Sequence, residues 1–342
     1  MHTAAMQASA PGLKNTLKES AQRVASRFGP HRYGNGSPKL WILMYHRILP
    51  ASDPRFASEE PGMIVTPDTF RQHLRQLKEL FTLLPLAQWI EHRRSGKQLP
   101  KRSCAVTFDD GWLDNYEHAL PILEREQVPA TIFAVSHMIG TRREFWPNRM
   151  ARIVAADPQL NHPALQWLRP FSGNLAASPG SRDWIAALIN SCKRLSDDEL
   201  NSRLDESEAA LMLPPPQSPA LLSWDQLRDM QRSGLVNVGS HTCNHYRLVA
   251  NLDAQTMSRE ISESRRMLEE QLGTPITLFC YPNGDASSAA IELVRQHYAA
   301  AVTTRRGINT STVDDYTLAR IGVHEDITGT PTSFQARLSG WL

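Results

Sequence analysis

Two adjacent carboxylates, Asp109 and Asp110, end the apolar run Cys104-Ala105-Val106-Thr107-Phe108 and are followed by Gly111. Two histidines, His241 and His245, stand four residues apart after the run Leu235-Val236-Asn237-Val238. Carboxylate oxygen and imidazole nitrogen are the donors of hydrolytic metal sites. One carboxylate with two imidazoles leaves a coordination position open for water, as catalytic zinc sites do and closed structural sites do not. Both apolar runs read as buried strands, which puts both motifs at strand ends. Adjacent strand residues point to opposite faces unless the strand ends in a turn. Gly111 supplies a turn, so the two carboxylates can reach one cavity in different roles. Cys243, between the histidines, is not expected to share a face with both, and reads as a buried thiol.

These motifs need a scaffold, and the rest of the chain reads as one. Trp41–Tyr45 is a first strand, and residues 50–65 read as a polar loop. Thr66-Pro67 starts a helix, with Thr66 as N-cap and Phe70, Leu74, Leu77 and Phe81 as its buried face. A helix around Tyr116–Gln127 and a strand at Ala130–Val135 follow. After the histidines, Asp253 opens a helix that Gly273 stops. Ile276–Cys280, Ala300–Thr303 and Leu318–Val323 read as strands, with a helix over Ser287–Tyr298. Repeated β–α alternation implies parallel strands with helices outside. Residues 141–222 interrupt it with helical stretches and end in the stiff connector Leu213-Pro214-Pro215-Pro216. They read as a helical insertion over the catalytic face.

The chain has 342 residues and a formal charge of +2. The length suits one large α/β domain, and the charge gives no reason to expect a nucleic-acid partner. No apolar run is long enough to span a bilayer. Residues 1–12 lack the charged start and apolar core of a signal peptide. Cys104, Cys192, Cys243 and Cys280 lack metal-type pair spacing and suggest no disulfide framework, so a cytoplasmic location is expected. Residues 1–37 form a separate leader. Its stripe of Leu13, Leu17, Ala21, Val24 and Phe28 is flanked by Lys14, Lys18, Arg23 and Arg27. Such a helix can dock on the body of the protein, or residues 12–28 can lie peripherally on the inner membrane.

Phe-Asp-Asp-Gly followed by His-x-x-x-His resembles the polysaccharide deacetylase family, the NodB-homology group of carbohydrate esterases. Ile42-Leu43-Met44-Tyr45-His46 and Pro129-Ala130-Thr131-Ile132-Phe133 resemble strands of that family. Phe279-Cys280-Tyr281-Pro282-Asn283-Gly284 stands where it carries an Arg-Pro-Pro-Tyr-Gly-like motif. The resemblance implies a distorted, incomplete (β/α) barrel over residues 38–342, carrying the insertion. Active residues of such barrels gather at the strand C-terminal ends. The resemblance also implies N-deacetylation of an N-acetylated sugar in a cell-surface glycan. Another C–N amide, such as a formyl group, and a catalytically degenerate glycan binder are the alternatives. Asp110, His241 and His245 are implied as ligands of a divalent ion, zinc or another first-row metal, and Asp109 as the general base. A histidine acid near a late strand end is implied as well. His324 is the expected residue, although its setting Arg-Ile-Gly-Val-His matches loosely, and His46 is its rival. Where relatives carry an arginine that orients the base, this sequence has Cys280. Arg320 is the expected replacement, on one strand face with Gly322 and His324. Trp146, Tyr281, Asn283 and His46 are expected at the substrate. Trp146 would stack on a sugar or anchor the insertion. The backbone near Asn283 would offer an oxyanion donor.

Overall fold

Runs that are apolar on both faces become parallel strands, because only a sheet covered on both sides buries them. The computed structural model describes residues 13–34, 36–173, 175 and 177–342. Its barrel strands are β1 (Lys39–Tyr45), β2 (Arg102–Phe108), β3 (Ala130–Ala134), β4 (Val236–Ser240), β5 (Leu278–Cys280), β6 (Ala300–Arg306) and β7 (Leu318–Gly322). The order around the sheet is β1-β7-β6-β5-β4-β3-β2. Pairing of β1 with β2 from Lys39↔Arg102 to Tyr45↔Phe108 closes it into a seven-stranded parallel barrel. The distortion lies away from that seam. β7 meets β1 through Leu43↔Ile321 and Met44↔Gly322 alone, and β4 meets β5 only at Ser240↔Phe279. The β7–β6 register shifts between Leu318 and Arg320.

Period-two alternation divides the core. Leu40 and Ile42 of β1 pack in one cluster with Ala105, Phe133, Leu278, Cys280 and Val302. Trp41, Leu43 and Tyr45 pack in another with Phe70, Leu74 and Leu77 from the helix Pro67–Leu80. Thr66 caps that helix, as expected from sequence, by accepting from the Thr69 amide. The segment 50–65, read as a loop, instead holds a short helix, Pro54–Ser58, and a strand, Ile64–Val65. Asp53 caps the helix and Pro54 occupies its first turn, a start signal like the one at Thr66-Pro67.

The leader helix, Leu13–Phe28, docks on the helix Pro331–Leu338 near the C-terminus. It does so through Ala25 and Ser26, not through the apolar stripe read from sequence: Leu17, Val24 and Phe28 are exposed. The close approach runs past Gly29, where a Cβ would lie 2.4 Å from that of Ser339. The signal-peptide reading rests on residues 1–12, outside the described residues.

The insertion contains the helices Trp146–Ala156, Arg182–Cys192 and Asp197–Ala210. They bury a core of their own, with Met150, Ile153, Trp184, Leu188, Leu200 and Leu204 at its centre. A buried ion pair holds this layer to the loop after β4. Arg247 Nε donates to Asp197 Oδ1 at 2.9 Å, and the Arg247 amide to Asp197 Oδ2 at 2.9 Å.

Candidate active site

Asp109 follows β2, and its amide donates to Tyr45 O at 3.0 Å across the closing seam. The next two residues turn the chain. Asp110 takes φ 74° and Gly111 φ 81°, so the turn starts one residue before the glycine that sequence pointed to. A non-glycine residue at positive φ is strained, and such strain clusters at functional sites. Here it re-aims Asp110, so that both carboxylates face one cavity of about 260 Å³. A Cβ on Gly111 would come within 2.9 Å of Ile139 Cδ1.

The loop after β4 is built in the same way, with Thr242 at φ 66° and His245 at φ 63°. Its turns bring His241 Nε2 and His245 Nε2 each to 3.5 Å from Asp110 Oδ1. That is longer than the roughly 2.7–2.9 Å of a charge-assisted hydrogen bond, and it suits ligands spaced around a shared ion. His241 Nδ1 lies 2.8 Å from the Cys280 carbonyl. A carbonyl can only accept, so Nδ1 carries a proton and Nε2 is turned to Asp110. Metal-ligating histidines are oriented in this way. Burial and the neighbouring His241 push His245 down to about 4, leaving its imidazole neutral. Burial alone would raise the Asp110 carboxyl, but His241 and His245 hold it well below the usual range. The donor atoms of Asp110, His241 and His245 all lie within 4.8 Å of one another. This donor set fits a divalent first-row ion with one side open to the cavity.

Arg320 on β7 is fully buried and grips Asp109 with both arms. Nη1 donates to Oδ1 and Nη2 to Oδ2, each at 2.7 Å. Its Nε donates to Thr303 O at 2.9 Å, and Nη2 reaches Cys280 Sγ at 3.2 Å. The arginine absent from the β5 motif therefore has a counterpart on β7, with Cys280 packed against it. Burial would raise the Asp109 carboxyl, and the Arg320 guanidinium reverses this and holds it below the usual range. An ionised carboxylate has about four acceptor sites, so the bidentate grip leaves lone pairs free for a proton.

The two histidines expected as rivals lie near enough for His46 to act on His324, but they are placed differently. His46 lines the cavity, with Nε2 3.8 Å from Asp109 Oδ2. His324 is not among the cavity's walls. It precedes the short helix Glu325–Thr328, and its Nδ1 lies 3.3 Å from Asp326 Oδ2. Tyr281 also departs from expectation. It is fully buried, its ring 5.2 Å from that of Phe279 in the helix-side core, and it cannot touch a substrate in the cavity. The motif's step out of β5 sends alternate side chains to opposite layers, and Tyr281 falls on the outer one. Asn283, at φ 57°, does line the cavity, as does Trp146. Trp146 belongs at once to the insertion's core and to the cavity wall.

Sequence reasoning missed Trp112. Its Nε1 donates to Asp110 Oδ2 at 2.8 Å, and the Arg47 guanidinium lies 4.2 Å from its ring centre. The signal was its place directly after Asp-Asp-Gly, since a buried indole N–H needs a partner. Lys193, on the insertion, and the segment Glu59–Met63 also reach the cavity unannounced. Trp112→Phe keeps a ring of similar shape and removes the bond to Asp110. Metal affinity is expected to fall about 10–100-fold in a competition titration with a chelator. An unchanged affinity would show that the indole does not orient Asp110.

Comparison with known proteins agrees with this geometry. A family model described as polysaccharide deacetylase matches residues 96–302. The chain is 26% identical over 210 residues to the poly-beta-1,6-N-acetyl-D-glucosamine N-deacetylase of Staphylococcus epidermidis, covering 56% of this chain and 69% of that protein. Among solved structures it resembles IcaB from Ammonifex degensii, with a TM-score of 0.56 and 21% identity over 88% of this chain and 98% of that one. It also resembles the Streptococcus pyogenes deacetylase PplD, with a TM-score of 0.56 and 20% identity over 85% of this chain and 95% of that one. Both structures share the fold. The family match begins after β1 and ends within β6, so His46 and Arg320 lie outside it.

Proposed function

This chain belongs to the polysaccharide deacetylase family, and from that premise we propose that it hydrolyses the N-acetyl group of N-acetylglucosamine-type units in a polysaccharide, with Asp110, His241 and His245 holding a divalent ion. The observation that carries this reading is the convergence of those three donors on one cavity, beside a second carboxylate gripped by Arg320. A zinc ion suits two imidazoles and a carboxylate, and such an ion supplies Lewis acidity for the amide carbonyl and acidifies a water.

The remaining work falls to side chains. Asp109 takes the proton of the attacking water, and Arg320 keeps it ionised and fixed in direction. His46 is assigned as the acid that protonates the departing amine, because it lines the cavity beside Asp109 whereas His324 turns to Asp326. Trp146 and Phe145 offer aromatic faces to a sugar ring, among polar groups from Asn148, Lys193 and Asn283. A neighbouring cleft of about 620 Å³ shares Phe145, Trp146 and His245 with the cavity. It supports a polymeric substrate, since adjoining units would have room there. The relative from Staphylococcus epidermidis is named for such a polymer.

The test is acetate release from β-1,6-linked N-acetylglucosamine oligomers by metal-loaded protein, with formate release from N-formylated analogues alongside. Acetate release supports the proposal, and a metal-loaded protein that releases none overturns it. In the same assay His46→Ala is expected to lower turnover about 10²–10⁴-fold, and His324→Ala to leave most of it. The reverse order would return the acid role to His324.

A further inference from the structure

Behind the loop that carries His241 and His245, three ligand-type side chains converge that the hydrolytic site does not use. Cys243, in the middle of that loop, points away from the cavity and is fully buried. His137, just beyond β3, and Glu263, on the helix Ala254–Leu272, approach it from two other elements. One donor atom from each of the three lies within 4.8 Å of the others. We propose that His137, Cys243 and Glu263 form a second site for a thiophilic first-row divalent cation such as zinc or cobalt(II), with water completing the coordination.

The donors are free for the task. Among the described residues, neither the His137 ring nor the Glu263 carboxylate makes a hydrogen bond or an ion pair, and Cys243 Sγ meets Arg259 O at 3.6 Å and the Ser136 hydroxyl. Glu260, one turn away, is not free, because it accepts from the Asn244 amide at 2.8 Å and from its side chain at 2.7 Å. Ser136 Oγ is buried beside the Cys243 thiol, where its hydroxyl can donate to the thiolate that an ion would hold. The three elements are also fixed relative to one another. The His137 amide donates to Cys243 O at 2.9 Å, and the Ser136 amide to Thr242 O at 3.1 Å. Binding would release the thiol proton to solvent, since a coordinating thiol is deprotonated. Thiolate, carboxylate and neutral imidazole then balance the two charges of the ion. Sulfur, nitrogen and oxygen donors together favour zinc or cobalt over magnesium or calcium. An ion held here would brace from the rear the loop whose strained turns aim His241 and His245.

Cobalt(II) titration of the full chain, with thiols kept reduced by a phosphine, tests this independently of the hydrolytic site. The expected result is about two ions per chain and a near-ultraviolet sulfur-to-cobalt charge-transfer band, which a site of two histidines and an aspartate cannot give. His241→Ala should remove one ion and leave the band. Cys243→Ser should remove the band and one ion, and His137→Gln should weaken the band's titration at least tenfold. Absence of the band in the wild type, or its survival in Cys243→Ser, overturns the proposal. If His241→Ala loses no ion while the band behaves as expected, the hydrolytic-site assignment fails and the second site stands.

Discussion

Asp109→Asn is expected to lower turnover about 10²–10⁴-fold while leaving the metal content at the wild-type level. At about 1.4 kcal/mol for each factor of ten, this corresponds to about 3–6 kcal/mol of lost transition-state stabilisation. The division of labour at the turn is what produces the split result. Asp110 alone of the two carboxylates lies beside both histidines, at 3.5 Å from each Nε2, and the substitution leaves it untouched. Asp109 lies within 4.8 Å of His241 but is gripped by Arg320 and faces His46. The carboxamide introduced by the substitution would accept one arm of Arg320 and present an NH₂ to the other, leaving the buried guanidinium short of a counter-charge. Some loss of stability therefore accompanies the loss of rate, and the measurement must pair kcat with metal stoichiometry and a melting curve at the assay temperature. A folded, metal-replete variant with near wild-type turnover would remove Asp109 from the base role. Loss of metal together with activity would instead make Asp109 part of the ion's environment.

The parts of this site legible in the sequence are those encoded within a few residues. Asp109, Asp110, His241 and His245 stand at the ends of apolar runs, and a parallel barrel brings strand ends to one rim. Arg320 was accessible through period-two alternation on β7, combined with the missing arginine at Cys280. The choice between His46 and His324 was not, because it depends on long-range pairing. β1 pairs with β2 over its whole length and so brings His46 to the Asp109 turn, whereas His324 follows β7, whose contact with β1 is short. Tyr281 misled for a related reason. Leu278, Phe279 and Cys280 are all buried, so the apolar pattern of β5 does not reveal which side faces the cavity. The insertion's helices follow from their apolar spacing, but their docking rests on single pairs such as Arg247–Asp197 that no periodicity announces. The leader's stripe shows the limit of amphipathicity. The helix forms where the pattern places it, yet its small face of Ala25 and Ser26, not its large apolar one, meets the body.

Arg320→Met should reveal what the guanidinium does, because it alters the proposed base without altering the proposed ligands. In the wild type the folded Asp109 carboxyl is held below its usual value, despite burial, by Arg320. A carboxyl with a depressed folded pKa contributes stability above its unfolded pKa, and that contribution disappears as pH falls through the folded value. Without Arg320 the sign reverses. Burial then governs, the folded carboxyl titrates above its unfolded value, and keeping it ionised at neutral pH opposes folding. Breaking a buried pair in this way costs about 3–5 kcal/mol, read as a lowered midpoint in urea at pH 7 and a smaller deficit at low pH, where Asp109 is protonated in both states. The acid limb of the kcat/KM profile should move to higher pH, since Asp109 must be ionised to take a proton. Arg320→Lys should recover part of both effects, because it restores the charge without the fork that spans the two oxygens. A purely structural arginine would lower the midpoint but leave the acid limb in place, and that outcome would sever Arg320 from the chemistry of Asp109.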